Sequence, residues 1–180
     1  MKTNDHRREG EATAEPALLP DGWHAPRKRP THGVILTPDA PSIVFLTICT
    51  EKREPWLADP EVHGLLKNIW RQAAGWLVGR YVLMPDHIHM FAGWAGGKWS
   101  LETWVQFWKA RLSVCHKVQS HRWQSGHWDT RMTSREQCES KWEYVVNNPV
   151  RHGLVKSPEL WPYSGMVHEL EGRQEEQARR

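Results

Sequence analysis

His87 and His89 flank a single isoleucine in the stretch 81–91 (YVLMPDHIHMF). The stretch reads as a strand, a Pro85-Asp86 interruption, and a second strand opening on His-Ile-His. Successive strand side chains point to opposite faces, so the two imidazoles project from one face. Two imidazoles side by side on a rigid element can grip a divalent metal. The plain alternative is a pair of surface or core histidines in a chain that has 11. Tyr144 is the second candidate. It lies in a helix-like stretch, and Asn148 follows four residues later, one helical turn on. The Asn148 carboxamide beside it can coordinate or hydrogen-bond. The plain alternatives are a half-buried helix tyrosine and a polar residue at a helix C-terminus. The chain has only two other tyrosines, Tyr81 and Tyr163, and both fall in stretches expected to pack.

The elements that must position these residues follow from pattern. Residues 42–50 (SIVFLTICT) are apolar and β-branched and read as a buried strand. Asp59-Pro60-Glu61 has the form of a helix start, with Val62, Leu66, Ile69 and Ala73 recurring at helical spacing up to about Gly75. Strands are expected over 76–84 and 87–94. Ser100 then caps a helix whose stripe Leu101, Trp104, Val105, Trp108, Leu112 and Cys115 reads as core. Lys109, Arg111 and Lys117 lie off that stripe, as solvated charges or phosphate contacts. A fourth strand within 127–132 completes β-α-β-β-α-β, the ferredoxin-like arrangement, an α+β fold. Ser134 and Gln137 have capping-box spacing for a further helix, expected to run to about Asn148, where Pro149 ends it. Its apolar face is Cys138, Trp142 and Val145, which sets Tyr144 and Asn148 on a polar stripe roughly opposite.

Composition narrows the class. A chain of 180 residues suits one domain with a real core. Three cysteines without a Cys-x-x-Cys pair fit a reducing compartment. No apolar run is long enough to cross a membrane, and the polar start lacks a signal-peptide core, so a cytoplasmic protein is expected. A net charge of +3 permits a nucleic-acid partner without demanding one. Of 12 tryptophans most are expected in the core, with some available as platforms for unstacked bases. Residues 1–41 hold half the prolines and the basic cluster Arg27-Lys28-Arg29, and read as an extended arm able to contact phosphates. Residues 42–166 form the domain, and 167–180 a charged tail.

The segments MPDHIH (84–89) and YVVNNPVRHGLV (144–155), in this order and spacing, resemble the single-tyrosine HUH transposases of bacterial insertion sequences. WPYS (161–164) is also like their REP-associated branch, and the resemblance covers about residues 42–165. It implies a ferredoxin-like domain with an extra C-terminal helix carrying the tyrosine, acting on single-stranded or hairpin DNA. It also implies that His87 and His89 bind Mg²⁺ or Mn²⁺, that Tyr144 is the nucleophile forming a 5′-phosphotyrosine, and that Asn148 is a further metal ligand. Asn148 stands where relatives often have the longer Gln. Arg27, Lys28, Arg29, Lys109 and Arg111 are the candidate DNA contacts. The protein is expected to act as a monomer or homodimer near bacterial DNA. The rival readings are a DNA-hairpin binder without catalysis, a replication initiator or relaxase, and a His-x-His metalloenzyme on a small substrate. The last needs an all-β pattern, which three helical stretches disfavour.

Overall fold

The computed structural model describes residues 42–170. The expected arm with Arg27, Lys28 and Arg29 lies outside them, as do the last ten residues of the expected tail. β1 (Ile43–Cys49) is followed by α1 (Pro60–Gln72), β2 (Trp76–Leu83), β3 (His87–Trp94), α2 (Leu101–His116) and β4 (Trp128–Met132). Then come α3 (Arg135–Val146), α4 (Asn148–Arg151) and β5 (Ser164–Met166). The strands form one antiparallel sheet in the order β4-β1-β3-β2-β5. The first four strands thus have the ferredoxin-like order expected from the element sequence, and β5 adds an edge that periodicity did not announce.

Alternation along the strands sorts side chains onto two faces. Val44, Leu46, Ile48, Ile88, Met90 and Ala92 point toward α1 and α2 and join Leu66, Trp70, Trp104 and Trp108 in the main core. The other face carries Phe45, Phe91, Val82 and Met84, which meet Val145 of α3 with Trp142, Trp161 and Leu170 around them. Helices therefore cover both faces, and α3 is the extra layer. Asp59 caps α1 through its carboxylate, which accepts from the Glu61 and Val62 amides at 2.8 and 3.1 Å. Ser100 accepts from Thr103 N at 3.1 Å to cap α2. Ser134 accepts from Gln137 N at 3.2 Å to cap α3, while the Gln137 carboxamide reaches back to Thr133 N at 3.1 Å. That is the capping box with its return arm moved back by one residue.

Trp70, Trp76, Trp104 and Trp108 are fully buried. Among the described residues, the indole N–H groups of Trp70, Trp104, Trp108 and Trp123 find no hydrogen-bond acceptor. Their rings meet edge to face, Trp70 on Trp108 at 5.8 Å and Trp108 on Trp123 at 5.5 Å. Such contacts offset part of the desolvation cost by setting positive ring edges on negative faces.

The C-terminal segment docks on the sheet. Trp161 Nε1 donates to Leu83 O at 2.9 Å, and Leu83 N donates to Tyr163 O at 2.8 Å. Leu170 lies so close on Gly79 that a Cβ there would stand 2.6 Å from its Cδ1. A side chain at that point of the strand would displace the Leu170 side chain.

Lys109 departs from the expectation of a solvated or phosphate-contacting charge. It is only 8% exposed, and its Nζ donates to Gln124 O at 2.9 Å and Gly126 O at 2.6 Å. It also lies 5.7 Å from the Trp123 ring centre. Burial pushes its pKa down to about 8. Lys109 pins the loop 117–126 and is not free to contact a phosphate, whereas Arg111 is exposed as expected. Lys109→Met should lower unfolding free energy by roughly 2 kcal/mol, because two carbonyls lose their donor. Urea denaturation of the purified variant checks this.

Candidate active site

The turn between β2 and β3 is closed by Met84 N donating to His87 O at 2.8 Å, with Pro85 and Asp86 at its two central positions. Proline presets the backbone of the first central position of such a turn. The register then fixes what faces the histidines. Thr47 pairs with His89 and Cys49 with His87 across β1 and β3. The two imidazoles share one sheet face, as period two requires, and their Nε2 atoms stand 3.1 Å apart.

Each ring is held from behind. His87 Nδ1 lies 2.7 Å from Asp86 Oδ1, and His89 Nδ1 lies 3.0 Å from Thr47 Oγ1. Arg53 Nη2 also approaches His87 Nδ1, at 3.3 Å. The shorter Asp86 contact governs the tautomer. A carboxylate only accepts, so His87 Nδ1 carries the proton and Nε2 presents its lone pair. His89 Nε2 can donate to that lone pair in the metal-free protein, with Thr47 donating to Nδ1. Reversal of the Thr47 bond frees both lone pairs for an ion, the arrangement in which a partner at one ring nitrogen sets the other up for metal.

Both histidines are held neutral. Burial, then the His87 and Arg53 charges, push His89 down to about 3. Burial also lowers His87, opposed by Asp86. The folded values lie below the unfolded value of 6.5. Between about 3 and 6.5 the unfolded chain therefore binds protons that the folded chain refuses, and stability falls as pH falls through that window. In EDTA-treated protein, the urea midpoint should drop between pH 7 and pH 5. It should drop less in His89→Gln, and equal slopes for the two proteins would contradict this.

The donor set suits a small divalent ion. Cis positions of an octahedral ion with bonds near 2.1 Å are about 3.0 Å apart, close to the observed 3.1 Å. No third His, Cys, Asp or Glu joins the pair among the described residues. Asn148 is 5% exposed, and among the described residues its carboxamide makes no protein hydrogen bond. A carboxamide oxygen without a protein partner can serve as a metal ligand where it comes within reach of the ion.

The helix that carries Tyr144 differs from expectation in two ways. α3 ends at Val146, and Asn148 opens the separate short α4 with Pro149 in its first turn, where a missing N–H costs nothing. Asn148 is also buried, not set opposite the apolar face. The buried centre of that face is Val145, from which Asn148 lies only about 60° around the helix. Trp142 and Tyr144 fall on opposite flanks. On the Trp142 flank, Arg80 of β2 lies 5.6 Å from the Trp142 ring and donates to Glu139 at 2.7 Å. On the other, Lys141 Nζ lies 5.2 Å from the Phe45 ring of β1, which stacks on His89 at 5.4 Å. Tyr144 is about 60° beyond Lys141 on that same flank. It is 53% exposed, and the Arg151 guanidinium sits 4.3 Å from its ring centre. Tyr81 is buried, as expected for a packed strand, and is hydrogen-bonded to His63 Nε2 at 2.8 Å.

Sequence reasoning missed Thr47, Arg53 and Asp86 as the groups that orient the histidines. Strand pairing opposite His89 was the only signal for Thr47. Asp86 belongs to the Pro85-Asp86 interruption between the strands, and its carboxylate also orients His87. Beyond the sheet end, an open cavity of about 630 Å³ is lined by Lys117, His121, Arg122 and Trp123 among others. Its lining comes from one stretch, 113–123, at the end of α2 and the loop that follows.

No family model matches the chain. It is 25% identical over 93 residues to the REP-associated tyrosine transposase of Escherichia coli (strain K12), a match covering 48% of this chain and 52% of that relative. The chain thus spans about half the length of the curated relative it matches. A solved structure of a REP-associated tyrosine transposase bound to a REP hairpin superposes with a TM-score of 0.60 at 20% identity, covering 69% of this chain and 76% of that one. That likeness establishes the shared fold. On sequence and on fold alike, what this chain is similar to is a REP-associated tyrosine transposase.

Proposed function

We propose that the chain is a metal-dependent single-strand DNA endonuclease and strand transferase acting on hairpin-forming DNA through Tyr144. The observation that carries this reading is the His87–His89 pair, with Nε2 atoms 3.1 Å apart and both rings oriented through Nδ1. His87, His89 and Asn148 would hold the ion, and the two imidazoles favour Mn²⁺ over Mg²⁺. A divalent ion there supplies charge neutralisation at the scissile phosphate. The Tyr144 oxygen attacks phosphorus in line, the bond from phosphorus to the 3′ oxygen breaks, and the 5′ phosphate is left on the phenol. The phenolic proton is lost as the new bond forms, and the departing 3′ oxygen gains one to become a hydroxyl. The reverse attack by a 3′-OH rejoins strands with no added energy source. Arg151, stacked on the Tyr144 ring, holds the phenol and brings a positive charge beside the phosphate. Arg111 and the cavity cations Lys117 and Arg122 offer backbone contacts. The hairpin in the structural relative supports hairpin DNA as the substrate class.

The test is incubation of the full chain with single-stranded hairpin DNA, with Mn²⁺ or with EDTA, on a denaturing gel. A covalent protein–DNA adduct that needs the ion is expected. Tight hairpin binding with no cleavage across several hairpins and metals would instead make the chain a DNA binder without catalysis.

A further inference from the structure

The loop after β1 carries two consecutive non-glycine residues in left-handed backbone, Lys52 at φ 53° and Arg53 at φ 62°. L side chains rarely adopt this conformation, and strain of this kind persists only where surroundings enforce it. Here they do. Thr50 N and Thr50 Oγ1 both donate to Asp86 O at 3.0 Å, and Leu57 N donates to Pro85 O at 2.8 Å. The loop is stapled to the turn that opens the histidine strand. Its consequence is the placement of one guanidinium. Arg53 Nε lies 2.6 Å from Asp86 Oδ2, Nη1 donates to Cys49 Sγ at 2.7 Å, and Nη2 stands 3.3 Å from His87 Nδ1. The other carboxylate oxygen, Asp86 Oδ1, is the one that takes His87 Nδ1.

We propose that Arg53 is a positioning residue for the metal site, held in strained backbone so that its guanidinium locks the Asp86 carboxylate in the orientation that keeps the His87 proton on Nδ1. This rests on His87 and His89 being metal ligands. With both carboxylate oxygens engaged, Asp86 has one orientation. Without Arg53, the partly exposed carboxylate is free to turn to water. The His87 proton can then move to Nε2, the atom that must present a lone pair. A lysine places a point charge there and lacks the planar fork.

The test compares Arg53→Gly, Arg53→Asn and Arg53→Lys with wild type and with Lys52→Gly, all in the full chain. Stability is read by urea denaturation. The His87 tautomer is read by long-range ¹⁵N NMR without metal, and Mn²⁺ affinity by electron paramagnetic resonance of the free ion. Glycine accepts positive φ without strain, so Arg53→Gly should be at least as stable as wild type. Its Mn²⁺ affinity should nevertheless fall by about 10–100-fold, the range for partners of metal-binding histidines, with more His87 protonated on Nε2. Arg53→Asn, which also tolerates this backbone, should behave alike, and Arg53→Lys should recover only part of the affinity. Lys52→Gly relieves similar strain and should bind Mn²⁺ like wild type. Wild-type affinity and tautomer in Arg53→Gly and Arg53→Asn would overturn the proposal. A wild-type chain that binds Mn²⁺ no better than His87→Ala would instead sink the metal reading, with the tautomer still reporting on Arg53.

Discussion

Tyr144→Phe should yield no covalent protein–DNA adduct and lose at least ~10³-fold in strand cleavage, while hairpin binding stays within about twofold of wild type. The variant removes one oxygen and leaves the ring. Arg151 stacks on the ring face at 4.3 Å, and phenylalanine presents the same face. Tyr144 is more than half exposed, so the fold should be unaffected. Loss of the adduct would therefore report chemistry and not collapse of the helix. The measurement is a denaturing gel of labelled hairpin with Mn²⁺, beside Tyr163→Phe as a control. An adduct of unchanged yield in Tyr144→Phe would move the nucleophile elsewhere, and Tyr163 would be next, since Tyr81 is buried against His63.

His87→Ala and His89→Ala should each weaken Mn²⁺ binding by at least about 100-fold, because direct ligation exceeds the effect of an outer partner. The thermal response separates this from simple damage. Wild-type melting temperature should climb with Mn²⁺, as expected when an ion binds only the folded state. Neither variant should show that climb. In metal-free buffer His89→Ala should remain folded, since the pair buries two neutral rings that contribute little to the main core. Its Thr47 partner can turn to water. A Mn²⁺-dependent rise in melting temperature that survives in both variants would place the ion elsewhere.

Much of this architecture was legible in the chain because local geometry is periodic. The His-Ile-His spacing put both imidazoles on one face, and the sheet shows them there. Asp59, Ser100 and Ser134 announced three helix starts, since a cap is a bond between near neighbours. The α2 stripe from Leu101 to Leu112 is buried as its helical spacing indicated, although Cys115 at its end is only partly so.

What the sequence determined by itself was therefore the first four strands and the three longer helices, their ferredoxin-like order and the shared face of the two histidines, without α4 and β5. Tertiary structure decided the rest. Lys109 appears solvated on a helical wheel but is buried, because a distant loop offers two carbonyls to it. Asn148 lies only about 60° from Val145 on the wheel, but burial required packing of α3 and α4 on the sheet. Thr47 reaches His89 across 42 positions, and Arg53 reaches His87 across 34. Periodicity encodes contacts within a helical turn and the face of a strand that a side chain takes. Contacts at such separations depend on register and on the path of a strained loop, and these exist only once the sheet has closed.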